Sequence, residues 1–529
     1  MMEGSLSDEL VPGRGTVDCM LEECGVGCFT VHLVIVCGLG WLADTSWITA
    51  IIAITVPVQY EFGMSDTAAG ALLPILFGAQ AVGALVFGPI ADTCGRRGVF
   101  SVTLIISGVA GSVAAASNSF WMLVAAIALA GFGVGGNMPI DGAIAIELCP
   151  KSMRGRLMTV LTVFWSMGSI LMYAVAWSLI PDATCEAPPS PCDPASNRGW
   201  RHVLWALAAT CFGSLIPRLR FPESPVWLCA QGRPEEAARV LQTVAARNGR
   251  VMRTELAAAH LRRRPFSTPD TCAERSVSTP TLTVNVAVSV PADTREGVAR
   301  EGGEREGGGR GTPEDGMTHW GCRGLCVPSH DWLTVPWMKT TFGILLALWF
   351  LSNFGYGLFN SMNIVLVTDK IGAPPTGDAA YRDAMVQASA GPIGALLGAY
   401  LVDTWLGRKW TLCASVLLVG VSLGCFYAAH SEATIVACGA LIQLNAQIMY
   451  AALYLYSPEV LPTSVRGCGV GLLSGVSRVA GILAPLTGHG LAASGVPANG
   501  IVALAIGCMS VMALCAALLP IETRGCDIL

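Results

Sequence analysis

The sequence contains few charged residues for its length. Only 13% of its 529 residues are Asp, Glu, Lys or Arg, whereas about 25% is usual in soluble domains. Apolar residues make up 53% of the chain and the mean hydropathy is +0.57. These values exclude a soluble globular protein and indicate an integral membrane protein.

Motifs of nucleotide and enzyme chemistry are also lacking. There is no Walker sequence, which argues against ATP-driven transport, and no nucleophile and base at a spacing that indicates an enzyme. The glycine-rich run 131–136 falls inside an apolar segment without a preceding strand, so we interpret it as a helix-packing surface. We expect no cofactor and no metal. The net charge of −5 gives no reason to expect a nucleic-acid partner.

The twenty cysteines do not form a metal-binding pattern. Most stand singly in apolar segments, where a thiol behaves as a small hydrophobic group. Cys185 and Cys192 differ, because they share one proline-rich loop between two apolar runs. An oxidising compartment would allow a disulfide there, but sequence alone cannot establish the geometry that the bond requires. A disulfide and two free thiols both remain open.

Twelve apolar runs have roughly the length that a transmembrane helix needs, which is about 20 residues. Only the sixth is marginal, because Pro217, Arg218 and Arg220 crowd its end. We therefore predict an all-α membrane protein with twelve transmembrane helices. The runs are 28–58, 68–91, 99–117, 120–146, 157–181, 202–220, 340–368, 382–402, 410–429, 432–456, 467–490 and 498–520.

Basic residues collect in alternate short loops, and acidic residues prevail in the others. By the positive-inside rule the basic loops are cytoplasmic, which places both termini and the long central loop in the cytoplasm. The middle of that loop, 264–318, is rich in Gly, Arg, Glu, Ser and Thr and is predicted to be disordered, as a passive linker or a regulatory tether. The predicted parts are a tail over 1–27, a first six-helix half over 28–220, a loop over 221–338, a second six-helix half over 339–520 and a tail over 521–529.

The second half repeats motifs of the first. Residues 147–155 read Glu-Leu-Cys-Pro-Lys-Ser-Met-Arg-Gly, and residues 459–467 read Glu-Val-Leu-Pro-Thr-Ser-Val-Arg-Gly, 312 positions later (459 − 147). Gly-Arg-Arg at 95–97 recurs as Gly-Arg-Lys at 407–409, again 312 positions later (407 − 95). Two unrelated motifs with one offset indicate two halves related by a parallel repeat.

Several motifs carry a family resemblance. The turn 88–97, Gly-Pro-Ile-Ala-Asp-Thr-Cys-Gly-Arg-Arg, resembles the signature loop between the second and third helices of major facilitator transporters. Pro-Glu-Ser-Pro-Val-Trp-Leu at 222–228 and Pro-Ile-Glu-Thr-Arg-Gly at 520–525 resemble the sugar and organic-ion branch of that superfamily. Tyr-Ser-Pro-Glu-Val-Leu-Pro at 456–462 and the run 469–481 are similar to synaptic-vesicle-related transporters and to their nicotinate and organic-cation relatives.

The resemblance implies a major facilitator fold with a substrate site near the midplane, between the halves. It also implies a gate at the cytoplasmic side, where acidic and Arg side chains form charge-assisted contacts. Interfacial charges set by topology alone are the alternative. Asp403 stands one place earlier than the repeat predicts. The gate candidates are Asp92, Arg96, Arg97, Glu147, Arg154, Asp403, Arg408, Glu459 and Arg466.

Two positions depart from the family pattern. Relatives often carry a second acid shortly after the position of Asp44, where this chain has Thr45, Ser46 and Trp47. They also carry an Arg in the fourth helix that is associated with proton coupling, where this chain has Ile127. Whether a proton or another cation is coupled therefore stays open.

Ionisable residues within predicted spans are candidates for substrate binding, because a charge at the bilayer centre costs about 2.5–3.5 kcal/mol on insertion scales. Asp44 and Arg478 are two such residues. Arg478 either contacts an anionic group of the substrate or forms a structural pair with an acid such as Asp44.

Uncharged polar side chains form a second group of candidates. Asn353, Tyr356 and Asn360 share one face of the seventh predicted helix, and Gln443 and Gln447 share one face of the tenth. Such rows suit hydrogen bonding to a small polar solute, although bonds between helices explain them equally well. Another candidate is Trp165, as a stacking wall.

The predicted function is that of a secondary active or facilitative transporter which moves a small organic solute by alternating access. The solute is an organic ion, a nicotinate-like carboxylate or a sugar. A transporter-like receptor or vesicle scaffold without net transport is the alternative. We expect a monomer in the lipid bilayer, of the plasma membrane or of an organelle, with a solute and a coupling proton or cation as partners.

Overall fold

A computed structural model describes residues 14–185, 192–251, 336–461 and 466–523. The predicted disordered segment 264–318 and the end of the C-terminal tail lie outside these ranges. The described residues are helical throughout, apart from turns and short loops.

Eleven of the described helices are long and apolar enough to cross a membrane. The helix at the sixth predicted position, Gly199–Leu215, has 17 residues and continues into the 3-10 turn Ile216–Arg218. We number the twelve helices as spans 1 to 12 in chain order. They are Cys28–Phe62, Asp66–Cys94, Arg96–Ala115, Phe120–Glu147, Lys151–Leu179, Gly199–Leu215, Met338–Ile371, Asp378–Asp403, Gly407–Ala428, Glu432–Val460, Gly469–Ala493 and Ala498–Ala517.

Two spans are interrupted near the middle of the bundle. Span 7 contains a π-helical turn at Ser352–Tyr356, a feature that is frequent at functional sites. Span 8 consists of two helices, Asp378–Ala388 and Ala390–Asp403. Both interruptions lie beside the central cavity described below.

The glycine-rich run 131–136 packs span 4 directly against span 2. A Cβ atom at Gly135 would lie 2.0 Å from the carbonyl oxygen of Gln80, and one at Gly131 would lie 2.5 Å from that of Leu76. Side chains are excluded at these positions because the two backbones touch, as small residues permit in membrane bundles.

The bundle has two distinct ends. One end, which we call the motif end, carries the turns at Gly95 and Gly407. At this end the helices Arg14–Cys24, Pro225–Ala230 and Pro234–Arg247 cover the first half. The N-terminal tail predicted over 1–27 thus contains a docked helix, whose buried residues include Leu21.

The opposite end, which we call the disulfide end, carries the loop between spans 5 and 6. Cys185 and Cys192 form a disulfide there, with Cα atoms 5.4 Å apart. Glu61 anchors the same loop, because its carboxylate accepts hydrogen bonds from Asn197 at 3.0 Å and from Trp200 at 2.8 Å.

Candidate substrate cavity and motif-end contacts

A cavity lies between the two halves, midway along the bundle. Its lining comes from spans 1, 2, 4, 5, 7, 8, 10 and 11, so both halves contribute. The polar and aromatic residues of the lining are Trp41, Thr45, Thr49, Phe77, Thr162, Trp165, Ser166, Ser169, Asn353, Tyr356, Asn360, Ser361, Gln443, Gln447, Tyr450, Tyr454, Ser474, Ser477 and Arg478.

The wall formed by the second half is a hydrogen-bonded polar surface. The Tyr356 hydroxyl donates to Oε1 of Gln443 at 2.6 Å, and Nε2 of Gln443 donates to Oδ1 of Asn360 at 3.2 Å. Asn353 and Gln447 complete the set of five polar candidates, and all five line the cavity. The sequence left two roles open for these side chains, which were hydrogen bonding between helices and lining of the cavity. Both roles are present here.

The wall formed by the first half is aromatic, with hydroxyl groups beside it. The Trp41 and Trp165 rings meet edge to face, with centroids 6.2 Å apart. Thr49 donates to Ser169 at 3.1 Å. Trp165, predicted as a stacking wall, therefore lines the cavity, whereas Asp44 lies behind the lining and is 2% exposed.

Arg478 is the one charged side chain in the described lining. It reaches from span 11 into the first half, where Nη1 donates to Oε1 of Gln80 and Nη2 lies 3.7 Å from Sδ of Met138. A guanidinium has five donors, so these contacts leave donors for a further acceptor. The cavity therefore presents one cationic group among neutral polar and aromatic side chains.

A cluster of ionisable and amide side chains is buried behind the first-half wall. Arg218 and Asp141 are both fully buried, and Nη2 of Arg218 lies 3.0 Å from each oxygen of Asp141. Nη1 of Arg218 donates to Oδ1 of Asn137 at 2.7 Å, and Nδ2 of Asn137 donates to Oδ1 of Asp44 at 2.9 Å. These four residues, which we call the buried cluster, connect spans 1, 4 and 6.

The sequence did not reveal the buried cluster. Arg218 looks like a charge that ends a marginal span, yet its guanidinium lies 3.6 Å from the Phe100 ring centroid and donates to the Phe100 carbonyl oxygen. A Cβ atom at Gly40 would lie 1.8 Å from Oδ2 of Asp141. Gly40 is thus the feature of the span 1 sequence that reflects the close approach of the Asp141 and Arg218 side chains.

The motif end of the first half is organised around a carboxylate that the sequence analysis did not single out. Glu223 accepts hydrogen bonds from the backbone N–H groups of Arg96 at 3.0 Å and Arg97 at 3.1 Å, which begin span 3. Gly95 precedes them at φ 98°, a conformation that favours glycine. Its Cβ position lies 2.8 Å from Glu223. A carboxylate at a helix N-terminus satisfies orphan donors and complements the helix dipole.

The second half repeats this construction. Glu522 accepts from the backbone N–H groups of Arg408 at 2.8 Å and Lys409 at 2.9 Å. Gly407, at φ 72°, would bring a Cβ atom to 2.6 Å from the Glu522 carboxyl carbon. The motifs at 222–228 and 520–525 therefore supply equivalent helix caps.

The predicted gate residues form ion pairs inside each half. Arg96 lies 3.3 Å from Asp92 and 2.8 Å from Glu147. In the second half, Arg408 lies 3.6 Å from Asp403 and 3.2 Å from Glu459. The one-place shift of Asp403 along the sequence thus leaves it within reach of Arg408.

The remaining gate candidates have other surroundings. Arg97 donates to the Leu219 carbonyl oxygen at 2.9 Å. Arg154 lies 2.5 Å from Asp18 of the N-terminal helix and donates to the Ile146 carbonyl oxygen at 2.8 Å. The side chain of Arg466 lies outside the described residues.

At the disulfide end, two hydrogen bonds join the halves directly. The Trp177 indole donates to Oδ1 of Asp378 at 2.5 Å, and the Tyr381 hydroxyl donates to the Ala53 carbonyl oxygen at 3.1 Å. These hydrogen bonds hold spans 1 and 5 of the first half to span 8 of the second.

Repeated halves of membrane-spanning helices around a shared polar cavity define a multi-pass membrane transporter. The family described as "Sugar (and other) transporter" matches residues 26–268. An "MFS siderochrome iron transporter 1" from Ceriporiopsis subvermispora is 31% identical over 520 residues, which cover 96% of this chain and 89% of the relative. The chain belongs to the major facilitator superfamily, whose members are transporters and not enzymes.

Two further similarities extend over nearly the whole chain. "Organic cation/carnitine transporter 7" of Arabidopsis thaliana is 28% identical, with 97% of this chain and 96% of the relative covered. The partially occluded inward-open structure of the xylose transporter XylE from E. coli has a TM-score of 0.63 at 16% identity and covers 94% of this chain and 99% of that one. The likeness to XylE concerns the fold.

Proposed function

We propose that this protein moves a small organic anion across the membrane by alternating access, with Arg478 as the contact for the anionic group. The observation that carries this proposal is that Arg478 is the one cationic side chain in the described lining of a cavity to which both halves contribute. A carboxylate would neutralise Arg478 with charge-assisted hydrogen bonds. It would also balance a charge that is costly to bury alone.

The lining and the volume of the cavity favour a compact solute with a flat apolar part. Trp41, Trp165 and Tyr450 offer ring faces and edges, while Gln443 and Asn360 offer amide groups. The cavity volume of about 160 Å³ is below the roughly 300–1,000 Å³ of sites for drug-sized ligands. A monocarboxylate with one ring, such as nicotinate, fits these properties better than a sugar, which has no charge to pair with Arg478.

The distribution of contacts supports movement of the halves as units. The ion pairs of Arg96 and Arg408 lie within their own halves, so they can hold each half together while the halves move. The bonds from Trp177 and Tyr381 cross between the halves at the disulfide end. We infer that these two bonds break when the cavity opens to that side, and that the motif-end charges lie in the cytoplasm, as the positive-inside rule suggests.

Transport in liposomes tests the proposal. Purified full-length protein would be reconstituted and assayed for counterflow of nicotinate, benzoate, carnitine, an organic cation and a sugar. We expect saturable counterflow of a carboxylate and at least a tenfold rise in its half-saturation concentration for Arg478→Ala, with partial rescue by Arg478→Lys. Normal affinity in a folded Arg478→Ala variant would contradict the contact, and binding without flux would identify a receptor.

A further inference from the structure

A groove lies at the disulfide end of the first half, where the loop between spans 3 and 4 meets the start of span 6. Its volume is about 360 Å³, and it shares no described residue with the central cavity. Its described lining contains three basic side chains and no acidic one. The polar and aromatic residues of that lining are Asn118, Arg198, Arg201, His202 and Trp205.

Four of these residues share one face of span 6. Arg198 precedes the first turn, and Arg201, His202 and Trp205 follow it at the i+3, i+4 and i+7 positions. Arg198, His202 and Trp205 are exposed. Basic groups at the start of a helix are disfavoured by the helix dipole, so this face favours a negatively charged partner.

Glu61 supplies that partner to Arg201 alone. Nη2 of Arg201 donates to Oε1 of Glu61 at 2.6 Å, and Nη1 donates to Oε2 at 2.9 Å. The same carboxylate accepts hydrogen bonds from Asn197 and Trp200. A carboxylate has about four acceptor sites, so Glu61 is fully used by these four bonds.

The positive charge of Arg198 is not balanced within the groove. Neither Arg198 nor His202 has a side-chain hydrogen bond or an ion pair among the described residues. Asp193, an acid of the adjacent loop, lies outside the described lining, and its Oδ1 accepts from the backbone N–H of Ala195 at 3.0 Å. The groove therefore presents free donors of positive charge, with the Asn118 amide beside them.

The surface next to the groove is apolar. Trp205 and Phe212 are exposed on span 6, and Val109 and Val113 are exposed on span 3. The two helices are in contact, because a Cβ atom at Gly108 would lie 2.9 Å from the Phe212 ring. An apolar surface formed by both helices thus runs from the groove toward the middle of the bilayer.

Exposed Trp side chains indicate the level at which the groove lies. Trp205 is in the second turn of span 6, and Trp121 is the second residue of span 4, three positions after Asn118. Both are exposed. Because Trp is enriched where a membrane meets water, the cations of the groove lie at the level of the lipid head groups.

We propose that this groove binds an anionic phospholipid. Its phosphate group lies against Arg198, His202 and Asn118, and its acyl chain follows the apolar surface of spans 3 and 6. Phosphate oxygens accept charge-assisted hydrogen bonds from a guanidinium, and the acyl chain adds apolar contact. Inorganic phosphate has only the first of these contacts, so the two-part surface favours the lipid over a free anion.

Lipid binding to full-length protein in detergent tests the inference. Palmitoyl-oleoyl phosphatidylglycerol is titrated, native mass spectrometry counts the bound lipids, and thermal unfolding measures the stabilisation. We expect Arg198→Gln with His202→Gln to bind one lipid fewer and to raise the apparent Kd about fivefold or more, as for lost hydrogen bonds to a charged group. The double variant should fold as the wild type does, because it removes exposed side chains.

Arg239→Gln is the matched control. Arg239 is exposed on the helix Pro234–Arg247 at the motif end, so this variant removes one positive charge far from the groove. It should bind phosphatidylglycerol as the wild type does. Equal lipid binding by the wild type and the double variant would overturn the site, as would an equal loss in Arg239→Gln.

Three further probes identify the ligand. Phosphatidylcholine with the same acyl chains should bind more weakly than phosphatidylglycerol, and equal binding would overturn the preference for an anionic head group. Dihexanoyl phosphatidylglycerol should also bind more weakly, and equal binding would overturn the acyl-chain contact. Millimolar inorganic phosphate should neither stabilise the protein nor displace the lipid. Stabilisation by phosphate that is lost in the double variant would identify a site for a free anion and overturn the lipid site.

Discussion

The two halves share their motif ends but differ in their interiors. Glu223 and Glu522 cap corresponding helices, and Arg96 and Arg408 pair with corresponding acids. Behind the cavity wall, the first half has the buried cluster, whereas the corresponding positions of the second half carry uncharged residues. The residues 312 positions after Asp44, Asn137 and Asp141 are Tyr356, Met449 and Leu453.

This difference indicates which features the fold requires. Met449 and Leu453 are fully buried and apolar, so a half of this architecture packs without ionised residues at those positions. A buried ion pair is weak evidence for stability, since apolar residues often replace it without loss. The contacts that occur in both halves therefore belong to the fold, and those confined to the first half are better explained by function.

The largest effect should come from a methyl group inserted into the buried cluster. In Gly40→Ala the new Cβ would lie 1.8 Å from Oδ2 of Asp141 and 2.0 Å from Nη2 of Arg218, so the pair must separate. Breaking a buried pair costs about 3–5 kcal/mol. We expect loss of folded protein, measured by thermal unfolding and size-exclusion profiles in detergent.

Gly343→Ala in span 7 is the matched control, because nothing lies within 4 Å of its Cβ position. Alanine is favoured over glycine in a helix by up to about 1 kcal/mol, so this variant should be as stable as wild type or slightly more stable. Equal stability of the two variants would contradict the dense packing around Arg218.

The sequence predicted the spans well and the buried cluster poorly, for physical reasons. Span lengths follow from the thickness of the membrane, which acts on each segment separately. The contact of Arg218 with Asp141 joins residues 77 positions apart, and no local spacing encodes it. Asp44 stands out in the sequence as an acid within a span, but its side chain points to Asn137, and Thr45 lines the cavity instead.

The N-terminal helix was missed although its signal is in the sequence. Val17, Met20, Leu21 and Cys24 have the i, i+3, i+4, i+7 spacing of an apolar helix face, and all four are buried. The prediction of a gate pair for Arg154 did not consider Asp18 in that tail. Motif resemblance located the charged residues, and the docked helix determines what Arg154 contacts.

An intermediate effect is expected from removing the two helix caps that the halves share. Glu223→Ala and Glu522→Ala each take an acceptor from two backbone N–H groups, and a lost cap costs about 0.5–2 kcal/mol. If the halves are built alike, the two variants should lose similar stability in thermal unfolding. The surface variant Glu236→Gln should be close to neutral, and a loss confined to one cap variant would show that the caps are not equivalent.

A smaller and local effect should follow from releasing the N-terminal helix, which packs against the helices Pro225–Ala230 and Pro234–Arg247 and the turn Lys151–Met153. Glu22 accepts from the backbone N–H and the hydroxyl of Ser152, and Asp18 pairs with Arg154. Asp18→Asn with Glu22→Gln weakens both contacts. We expect faster amide hydrogen exchange over 17–24 and unchanged exchange in spans 7–12. Unchanged exchange over 17–24 would mean that apolar packing alone holds the helix.

The smallest effect concerns the two exposed acids of the motif-end turns. Asp92 lies 3.3 Å from Arg96 and is 68% exposed, whereas Asp403 lies 3.6 Å from Arg408 and is 56% exposed. Exposed pairs contribute about 0–1 kcal/mol, so neither Asp92→Asn nor Asp403→Asn should unfold the protein. We expect a transport rate reduced less than about fivefold in both, and more in Asp92→Asn because its pair is shorter. Equal transport rates in variants matched for surface expression would show that Asp403 contributes as much to transport as Asp92 does.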